Sequence, residues 1–375
     1  MNAEWLAGRL EQVDFHGLTM PRLRDCLASH SVPEGHARRV FGQLHRVRGP
    51  LEQTPGMGKH LLTLLGVSRR STVTPVRAVA SSDGTERLVF ELADGRRVEG
   101  VLIPNPRVSD RLTLCLSSQV GCAMGCTFCA TGTLGLTRNL RPGEIVGQVY
   151  AAQERATARG QRVTHLVFMG MGEPMHNYES VRDALRILFD PHGQPMDMRR
   201  VTVSTVGLIS KMRRFSDDFG GRVQLALSLH AGTDETRAKI IPTARTVSMS
   251  ALRKAIQAHP LPGSRHLMIE YVVLPGINDS EAEIAALVRW MEGIRGIVNL
   301  IPYNPFAGGR FRRPSVPEVE SVREQLLRAR IPVRVRWPRG HEAHGACGQL
   351  MLADQKVPTA YTPGAEGVDM TGARE

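Results

Sequence analysis

Predicted strands and helices alternate along most of the chain, and this alternation constrains the fold more than any other feature of the sequence. Apolar, β-branched strand segments lie at 112–116, 163–169, 201–204, 223–229, 267–274, 298–301 and 333–335. Amphipathic helical segments lie between them, at 142–159, 178–189, 208–215, 250–259, 279–291 and 317–330. Such alternation predicts a parallel sheet with helical crossovers. The units are too few for a closed eight-stranded barrel, so we expect an α/β fold built on an open, partial (β/α)6-type barrel.

Two segments precede the predicted barrel and one follows it. Residues 1–68 are predicted to form a small helical domain, in which 32–47 has the pattern of an amphipathic basic helix. The charged face of this helix could either bind RNA or be exposed to solvent. Residues 69–108 form a β-rich connecting segment with an Asp94-Gly95 hairpin signal. The barrel is expected to occupy 109–352, and the turn-rich tail at 353–375 to be mobile.

Polar and glycine residues cluster directly after successive predicted strands. They occur at 170–174, 204–205, 228–230 and 302–305. In (β/α) barrels the carboxyl ends of the strands build the active site. We therefore expect these strand ends to face one cavity.

A cysteine motif of the form Cys-x3-Cys-x2-Cys follows the first strand of the predicted barrel, as Cys122, Cys126 and Cys129. Three thiolates leave one iron of a [4Fe–4S] cube without a protein ligand, and an open metal position is where chemistry occurs. The cofactor for such chemistry is S-adenosylmethionine (SAM), cleaved to a radical. A structural zinc site would need a fourth Cys or His at short spacing, which does not follow Cys129. Zinc and three unrelated buried cysteines remain the alternatives.

The strand-end residues supply the groups that a SAM molecule requires. Gly172 allows close backbone approach, and the Glu173 carboxylate suits the cationic amine of SAM. Short polar groups for the ribose and adenine are offered by Ser204, Ser228, Leu229, His230 and Asn304. A glycine-rich turn and ordinary capping roles are the competing interpretations.

Further cysteines lie outside this motif. Cys347 lies in a glycine-flanked segment that would let a loop carry it into the cavity, which makes it a candidate nucleophile. Cys115 lies at the end of the strand that leads into the motif. Each of these two could be a buried, inert thiol, but a pair that forms and breaks a disulfide would be mechanistic. Cys26, on the apolar side of a predicted helix, is interpreted as structural.

The net charge of the 375 residues is +12, and arginine far outnumbers lysine. Guanidinium groups suit phosphate, so a polyanionic partner is one interpretation and a basic but ordinary enzyme is the other. No apolar run reaches the roughly 18 residues of a membrane span, and the first residues lack the pattern of a signal peptide. We therefore expect a cytoplasmic protein with no membrane contact.

Several short sequence segments occur in the same order and at the same spacing as the motifs of a known family. They are 115–122, the cysteine motif, 138–140, 169–174, 228–230, 304–306 and 346–350. Over about residues 10–352 the chain resembles the RlmN/Cfr family of radical-SAM RNA adenosine methyltransferases. The resemblance implies a [4Fe–4S] cluster and SAM as cofactors, and 23S rRNA as substrate, with tRNA as a further one. It also implies a low-potential electron donor of the flavodoxin type and a monomeric enzyme.

The same resemblance implies two uses of SAM. One SAM methylates Cys347, and a second is cleaved to a radical that takes a hydrogen atom from this methyl group. The methylene radical adds to a ring carbon of adenine, with carbon 2 favoured and carbon 8 the alternative. Cys115 then forms a disulfide with Cys347 to release the product, and Glu99 matches the family's base that removes the ring proton. A solvent-facing strand carboxylate is the competing interpretation of Glu99.

The chain departs from the family pattern at three places. The spacing between Glu99 and Cys115 is longer, and the runs 241–245 and 339–346 differ from those of typical members. These departures bear on the RNA target and the ring carbon rather than on the type of reaction. The rival functions are a radical-SAM enzyme with a non-RNA substrate and a non-catalytic RNA-binding paralog. The basic N-terminal module argues against the first, and the cysteines of the motif and the pair argue against the second.

Overall fold

The structure, a computed structural model, describes residues 13–30, 32–66, 71–108, 110–340 and 342–350. The predicted tail at 353–375 lies outside these described residues. The strands are β1 Val73–Ala80, β2 Glu86–Leu92, β3 Arg97–Pro104, β4 Leu112–Cys115, β5 Gln119–Gly121, β6 Leu136–Asn139, β7 Val163–Phe168, β8 Val201–Thr205, β9 Gln224–Ser228, β10 Leu267–Val273, β11 Gly296–Pro302 and β12 Val333–Val335.

Ten of these strands form one sheet in the order β1-β2-β3-β4-β7-β8-β9-β10-β11-β12. The pairs from β1 to β4 are antiparallel. Every neighbouring pair from β4 to β12 is parallel. Because β1 and β12 are edges within the described residues, the sheet wraps without closing. The predicted α/β fold, with an open barrel-like parallel sheet and a β-rich segment before it, is confirmed.

Helices connect the parallel strands, and each of the crossover helices predicted from the sequence is present. The helices are α1 Met20–Ser29, α2 Ala37–Gly42, α3 Lys59–Gly66, α4 Ala130–Thr133, α5 Pro142–Thr157, α6 Tyr178–Phe189, α7 Ile209–Phe219, α8 Asp234–Ile240, α9 Met249–Gln257, α10 Glu281–Met291 and α11 Val316–Arg328. Short 3-10 turns occur at Phe15–Gly17, Glu34–His36, Leu51–Gln53, Met198–Arg200 and Pro242–Thr246. Among the described residues, no helix combines the length and the apolarity needed to cross a membrane.

The basic helix predicted at 32–47 is broken, and part of it faces the protein interior. It consists of a 3-10 turn, helix α2 and a π-helical turn at Gln43–Val47. His45 is fully buried, with its Nδ1 2.8 Å from the hydroxyl of Tyr150 on α5. Burial, together with the charge of His16, lowers the pKa of His45 to about 3. The predicted amphipathic basic helix is therefore not one regular helix, and at His45 it is not basic, because the neutral imidazole packs like an apolar side chain.

The parallel strands have an apolar face and a polar face. Fully buried aliphatic residues form the face that packs against the helices: Leu166, Val203, Leu227, Ile269 and Val298. Side chains alternate along a strand, so the residues between them point to the opposite, inner face. There the strand register aligns Ser228, Glu270 and Asn299 in one row across β9, β10 and β11. Parallel strands buried on both faces are normally apolar throughout, so these polar residues mark the inner face as the site of function.

A small hairpin, β5–β6, was missed by the sequence analysis, as was the short helix α8. The two strands of the hairpin are antiparallel, and Gln119 is paired with Asn139. Gly121 has φ +76°, and a Cβ at this position would lie 1.9 Å from the carbonyl oxygen of Gly135. The backbone N–H of Cys122 donates to the same oxygen at 2.7 Å. This close approach of two backbone segments fixes where the cysteine loop begins.

Gly121→Ala is expected to destabilise the protein more than Gly135→Ala does. Both glycines have positive φ, +76° and +68°, which costs alanine about 1–2 kcal/mol. Only Gly121 also lacks room, since nothing lies within 4 Å of a Cβ at Gly135. Denaturant unfolding should show a clearly larger loss of unfolding free energy for Gly121→Ala. Equal losses would mean that the hairpin tolerates wider spacing.

Candidate active site

The three cysteines of the motif lie on the loop between β5 and α4, inside an apolar cluster. Cys122, Cys126 and Cys129 are all free thiols. The side chains packed around them are Met124, Phe128, Ala231, Ile240, Ile241, Val272, Leu274 and Tyr303. The loop is held by the Thr127 N–H, which donates to the Ile240 carbonyl at 2.9 Å. The surrounding apolar groups keep water away from the thiols.

The thiols are close enough to affect one another electrostatically. Burial raises the pKa of Cys122 to about 12 and that of Cys126 well above its usual value. The negative charges of the neighbouring cysteines and of Glu173 raise the Cys126 pKa further, and Arg237 opposes them. Three thiolates in such surroundings need a bound cation, because only positive charge offsets their burial and mutual repulsion.

The donor set fits an iron–sulfur cluster better than a single metal ion. Soft thiolates select zinc or iron–sulfur centres. Within the described ranges, no group of three His, Cys, Asp or Glu side chains is arranged around a point where one ion could bind. A cube has its irons at separate corners and takes each thiolate at a different one, so its ligands need not converge. Three thiols on one short loop are thus a donor set that a cluster can use, with one sulfur for each of three irons.

Gly172 and Glu173 lie in the loop after β7, beside the cysteine hairpin. A Cβ on Gly172, whose φ is +99°, would lie 2.6 Å from the Cβ of Gln119. The Gln119 side-chain oxygen accepts from the Glu173 N–H at 2.8 Å. The Glu173 carboxylate accepts from the backbone N–H groups of Met175 and Val206, both at 2.9 Å. Burial raises the pKa of Glu173 to about 7, although these hydrogen bonds act to lower it. The buried carboxylate therefore suits a cationic partner.

The segment after β9 is fixed through its backbone. The N–H groups of Leu229 and His230 both donate to the Glu270 carbonyl, at 3.1 and 3.2 Å. His230 has φ +61°, and its Nδ1 accepts from the Val272 N–H at 3.0 Å. Burial, followed by the charge of Arg237, lowers the pKa of His230 to about 3. The imidazole is thus neutral and engaged in a structural bond.

Ser204 and Ser228 both lie on the inner face, at the carboxyl ends of β8 and β9. The Ser204 hydroxyl donates to the Phe168 carbonyl at 2.8 Å. Ser228 lies opposite Glu270 in the register. Both side chains are only partly buried, so they remain accessible from the cavity.

The C-terminal segment carries Cys347 to this face. Asn304, just beyond β11, donates from Nδ2 to the Cys347 carbonyl at 3.3 Å. The next residue, Gly348, accepts from the Ala130 N–H at 2.8 Å. Although Cys347 is exposed to solvent, the protein around its sulfur displaces water and raises its pKa to about 11, with the charge of Glu270 adding to the effect. Cys347 is thus brought beside both the cysteine loop and the inner face.

Cys115 and Glu99 lie on the same side of adjacent strands. Val101 of β3 pairs with Cys115 of β4, and Glu99 is two residues before Val101, so its side chain points the same way. The thiol of Cys115 is buried and its pKa is raised by burial and by the charge of Cys347. Glu99 is fully buried and pairs with Arg87 Nη1 at 2.7 Å. Its alternative interpretation as a solvent-facing carboxylate is therefore wrong.

The sequence analysis missed Glu270. Asn299 Nδ2 donates to Glu270 Oε1 at 2.8 Å, and Arg336 Nε donates to Asn299 Oδ1 at 3.2 Å. Burial raises the pKa of Glu270 to about 7. A carboxylate inside an otherwise apolar strand was the signal in the sequence that could have revealed it. Its partners could not be inferred, because they come from the middle of β11 and from the segment after β12.

Comparison with known proteins finds relatives that match most of the chain. Residues 116–288 match the Radical SAM superfamily. The dual-specificity RNA methyltransferase RlmN of Syntrophobacter fumaroxidans is 46% identical over 344 residues, which cover 91% of this chain and 99% of the relative. The dual-specificity RNA methyltransferase RlmN of Geobacter sulfurreducens is 42% identical over 341 residues, covering 90% and 92%.

A solved structure has the same fold over nearly its whole length. A radical SAM methyltransferase from Sphaerobacter thermophilus matches with a TM-score of 0.82 and 39% identity, covering 90% of this chain and 99% of that one. Membership of the superfamily implies a [4Fe–4S] cluster and SAM, as predicted from the cysteine motif. The extent and identity of these matches mean that the chain belongs to the RlmN family of dual-specificity RNA methyltransferases, within the radical SAM superfamily.

Proposed function

We propose that this enzyme methylates carbon 2 of an adenosine in 23S rRNA and in tRNA. The name shared by the relatives, dual-specificity RNA methyltransferase, supports RNA as the substrate. The observation that carries the proposal is a second buried thiol, Cys115 on β4, whose pKa is raised by burial and by the charge of Cys347. Methylation through a methylated cysteine needs one thiol to carry the carbon and a second thiol to release the product.

The remaining site residues would hold the cofactors. Cys122, Cys126 and Cys129 would bind three irons of the cluster. The residues proposed to bind SAM are Gly172, Glu173, Ser204, Ser228, Leu229, His230 and Asn304. When bound, the cluster and SAM supply a 5′-deoxyadenosyl radical by one-electron reduction of SAM. The Glu173 carboxylate would receive the ammonium group, which relieves the cost of its burial.

Cys347 would accept the first methyl group. Its thiol must lose a proton to act as a nucleophile, and with a pKa of about 11 the thiolate fraction at neutral pH is small. A positive charge such as the SAM sulfonium favours the thiolate. Carbon 2 of adenine lies between two ring nitrogens and is not nucleophilic, so it cannot take a methyl group from SAM directly. A carbon radical held on Cys347 can add to it instead.

Cys115 and Glu99 would complete the reaction after this addition. Glu99 removes the proton from the methylated ring carbon, and its ion pair with Arg87 favours the ionised form that can act as a base. Cys115 pairs with Val101, two residues after Glu99, and would form the disulfide with Cys347 that frees the product. The disulfide must then be reduced before the next turnover.

The other parts of the chain would serve this reaction. We assign residues 1–68 to an accessory RNA-binding domain, 69–108 to a β-rich connection and 109–352 to the catalytic barrel. The positive net charge of +12 supports RNA binding. A low-potential donor of the flavodoxin type would supply electrons to a monomeric, cytoplasmic enzyme.

Cys347→Ala should abolish RNA methylation, and Cys115→Ala should trap a covalent enzyme–RNA adduct. The first variant lacks the carrier thiol and the second lacks the thiol that releases the product. Mass spectrometry of digested RNA would identify the methylated carbon, and a denaturing gel would reveal the adduct. Cys26→Ala, which changes a thiol on α1, is the matched control. Full activity of Cys347→Ala, or 8-methyladenosine as the product, would contradict the proposal.

Cys126→Ala should prevent cluster assembly, because only two thiolates remain on the loop. Iron and sulfide analysis after anaerobic reconstitution, together with the visible absorbance of the cluster, would measure this. Cys26→Ala should assemble the cluster normally. A full complement of iron in Cys126→Ala would show that the motif does not bind the cluster.

Glu99→Gln should lower RNA methylation by about 10²–10⁴-fold, the usual contribution of a general base. Glutamine keeps the shape of the side chain and can still accept a hydrogen bond from Arg87. Quantifying methylated RNA under saturating SAM would measure the effect. Glu91→Gln on β2, which removes a carboxylate paired with Arg97, is the control and should behave like wild type. Equal rates for the two variants would exclude Glu99 as the base.

A further inference from the structure

Arg237 on α8 is a fully buried arginine that the proposed reaction does not use. The residue is 1% exposed, although arginine is almost never fully buried unless it is paired. Its Nε donates to the Leu229 carbonyl at 3.2 Å, and its Nη2 donates to the Val206 carbonyl. The guanidinium is therefore fixed between the loop after β8 and the end of β9.

Both of these carbonyl groups belong to segments of the candidate active site. Val206 donates its own N–H to the Glu173 carboxylate at 2.9 Å, so Glu173 and Arg237 bond to the two polar backbone groups of one residue. Leu229 follows Ser228 in the segment that we propose to bind SAM. Arg237 thus lies at the carboxyl ends of the strands, where the cofactors would bind.

The helix that carries Arg237 also holds the cysteine loop. Arg237 and Ile240 are one turn apart on α8 and are both 1% exposed, so they share its buried face. Ile240 packs in the apolar cluster with Cys122 and Cys126. Its carbonyl accepts from the N–H of Thr127, the residue after Cys126. The guanidinium is therefore on the side of α8 that faces the loop, and its charge opposes the rise in the Cys126 pKa.

The Arg237 charge has no close carboxylate partner. Among the residues that the structure describes, its guanidinium bonds only to neutral carbonyl groups, and no Asp or Glu oxygen is within ion-pair distance. Asp234, one turn earlier on α8, bonds instead to the Met249 N–H at 2.6 Å, and its charge acts on Arg237 less than that of Cys126 does. Burial lowers the pKa of Arg237 to about 10, so the side chain stays charged at neutral pH. A buried charge without an ion-pair partner is costly, so an anion is expected beside it.

The cluster on the cysteine loop would be this anion. Its three thiolates carry more negative charge than an oxidised [4Fe–4S] core carries positive charge, and reduction by one electron increases the excess. The net charge around a cluster is one of the properties that set its reduction potential. A cation fixed beside the thiolates therefore stabilises the reduced form more than the oxidised form.

We propose that the Arg237 guanidinium is the fixed counter-charge of the cluster and makes its reduction easier. This inference rests on the proposed function, since it assumes that Cys122, Cys126 and Cys129 hold the cluster. In this step the low-potential donor loses one electron and the cluster gains it, so one negative charge is added at the site. The two backbone bonds hold the guanidinium in place beforehand, so no rearrangement is needed when the electron arrives.

The reduction potential of the cluster, measured without SAM and without RNA, tests the counter-charge. Arg237→Gln and Arg237→Lys would be reconstituted anaerobically and titrated with reductant, with electron paramagnetic resonance reporting the reduced cluster. Because buried charges interact strongly, we expect the reduced-to-oxidised ratio of Arg237→Gln to be about tenfold lower at a given potential. This corresponds to a midpoint about 59 mV more negative. Arg237→Lys keeps the charge and should remain near wild type.

Arg253→Gln on α9 is the matched control. The Arg253 guanidinium also donates to two backbone carbonyls, those of Trp290 and Glu292. These residues lie at the end of α10, near the amino end of β11, whereas Arg237 bonds to the carboxyl ends of β8 and β9. Arg253→Gln removes the same kind of bonds at a distance from the cysteine loop, so it should keep the wild-type potential.

Two results would overturn the counter-charge. Equal potentials for wild type and Arg237→Gln would do so, and a change in SAM affinity alone would then assign the guanidinium to SAM. Equal shifts in Arg237→Gln and Arg237→Lys would show a structural role, because neither side chain has the fork that bonds to both carbonyls.

Folding and cluster loading are measured separately from the potential. Melting temperature and iron content would identify a variant that fails to fold or to load, and Arg237→Met would then replace Arg237→Gln. If wild type is loaded and methylates RNA but the variants share its potential, only the counter-charge is wrong. If Cys126→Ala assembles a complete cluster, the proposed ligands fail and the counter-charge fails with them.

Discussion

The active site depends on the register of the parallel strands. Register decides which side chains share a row, and here it places Ser228, Glu270 and Asn299 side by side on the face opposite the helices. A shift of one residue in any strand would move its polar residues into the helix interface and its aliphatic residues into the cavity. The buried aliphatic face therefore positions the catalytic face indirectly, because it permits only one register.

Three buried carboxylates lie where the chemistry is proposed, while others, such as Glu86 and Glu283, are buried elsewhere in the fold. Glu99 is compensated by Arg87, Glu173 by backbone N–H groups, and Glu270 by an amide from Asn299. Burying a charge costs free energy, and an apolar side chain would fill the same space without that cost. Three such groups around one cavity therefore indicate a functional role rather than a stabilising one. Each is held by a different kind of partner, and burial raises the pKa of both Glu173 and Glu270 to about 7.

The sequence analysis located the regular elements well and the contacts between them poorly. Strands β7 to β12 and the longer helices between them were predicted because long amphipathic repeats report burial directly. The β5–β6 hairpin was missed because it is short and depends on the contact between Gly121 and Gly135 rather than on a pattern. The burial of His45, which lies in the predicted basic helix, could not be predicted because its partner Tyr150 is distant in the chain. The clustering of Cys115 and Cys347 followed from family resemblance, since spacing alone left an inert role open for each.

The hydrogen bond between Ala130 and Gly348 has a mechanical consequence. Gly348 follows Cys347, and Ala130 follows Cys129. This single bond therefore joins the residue after the carrier thiol to the residue after a proposed cluster ligand. Asn304 and the Gln349–Pro305 bond at 2.8 Å anchor the same stretch from β11. Each of these bonds contributes about 0.5–1.5 kcal/mol, and together they favour the inward position of the Cys347 backbone. While they hold, the thiol changes partners by rotating about its own side-chain bond, a motion of picoseconds to nanoseconds.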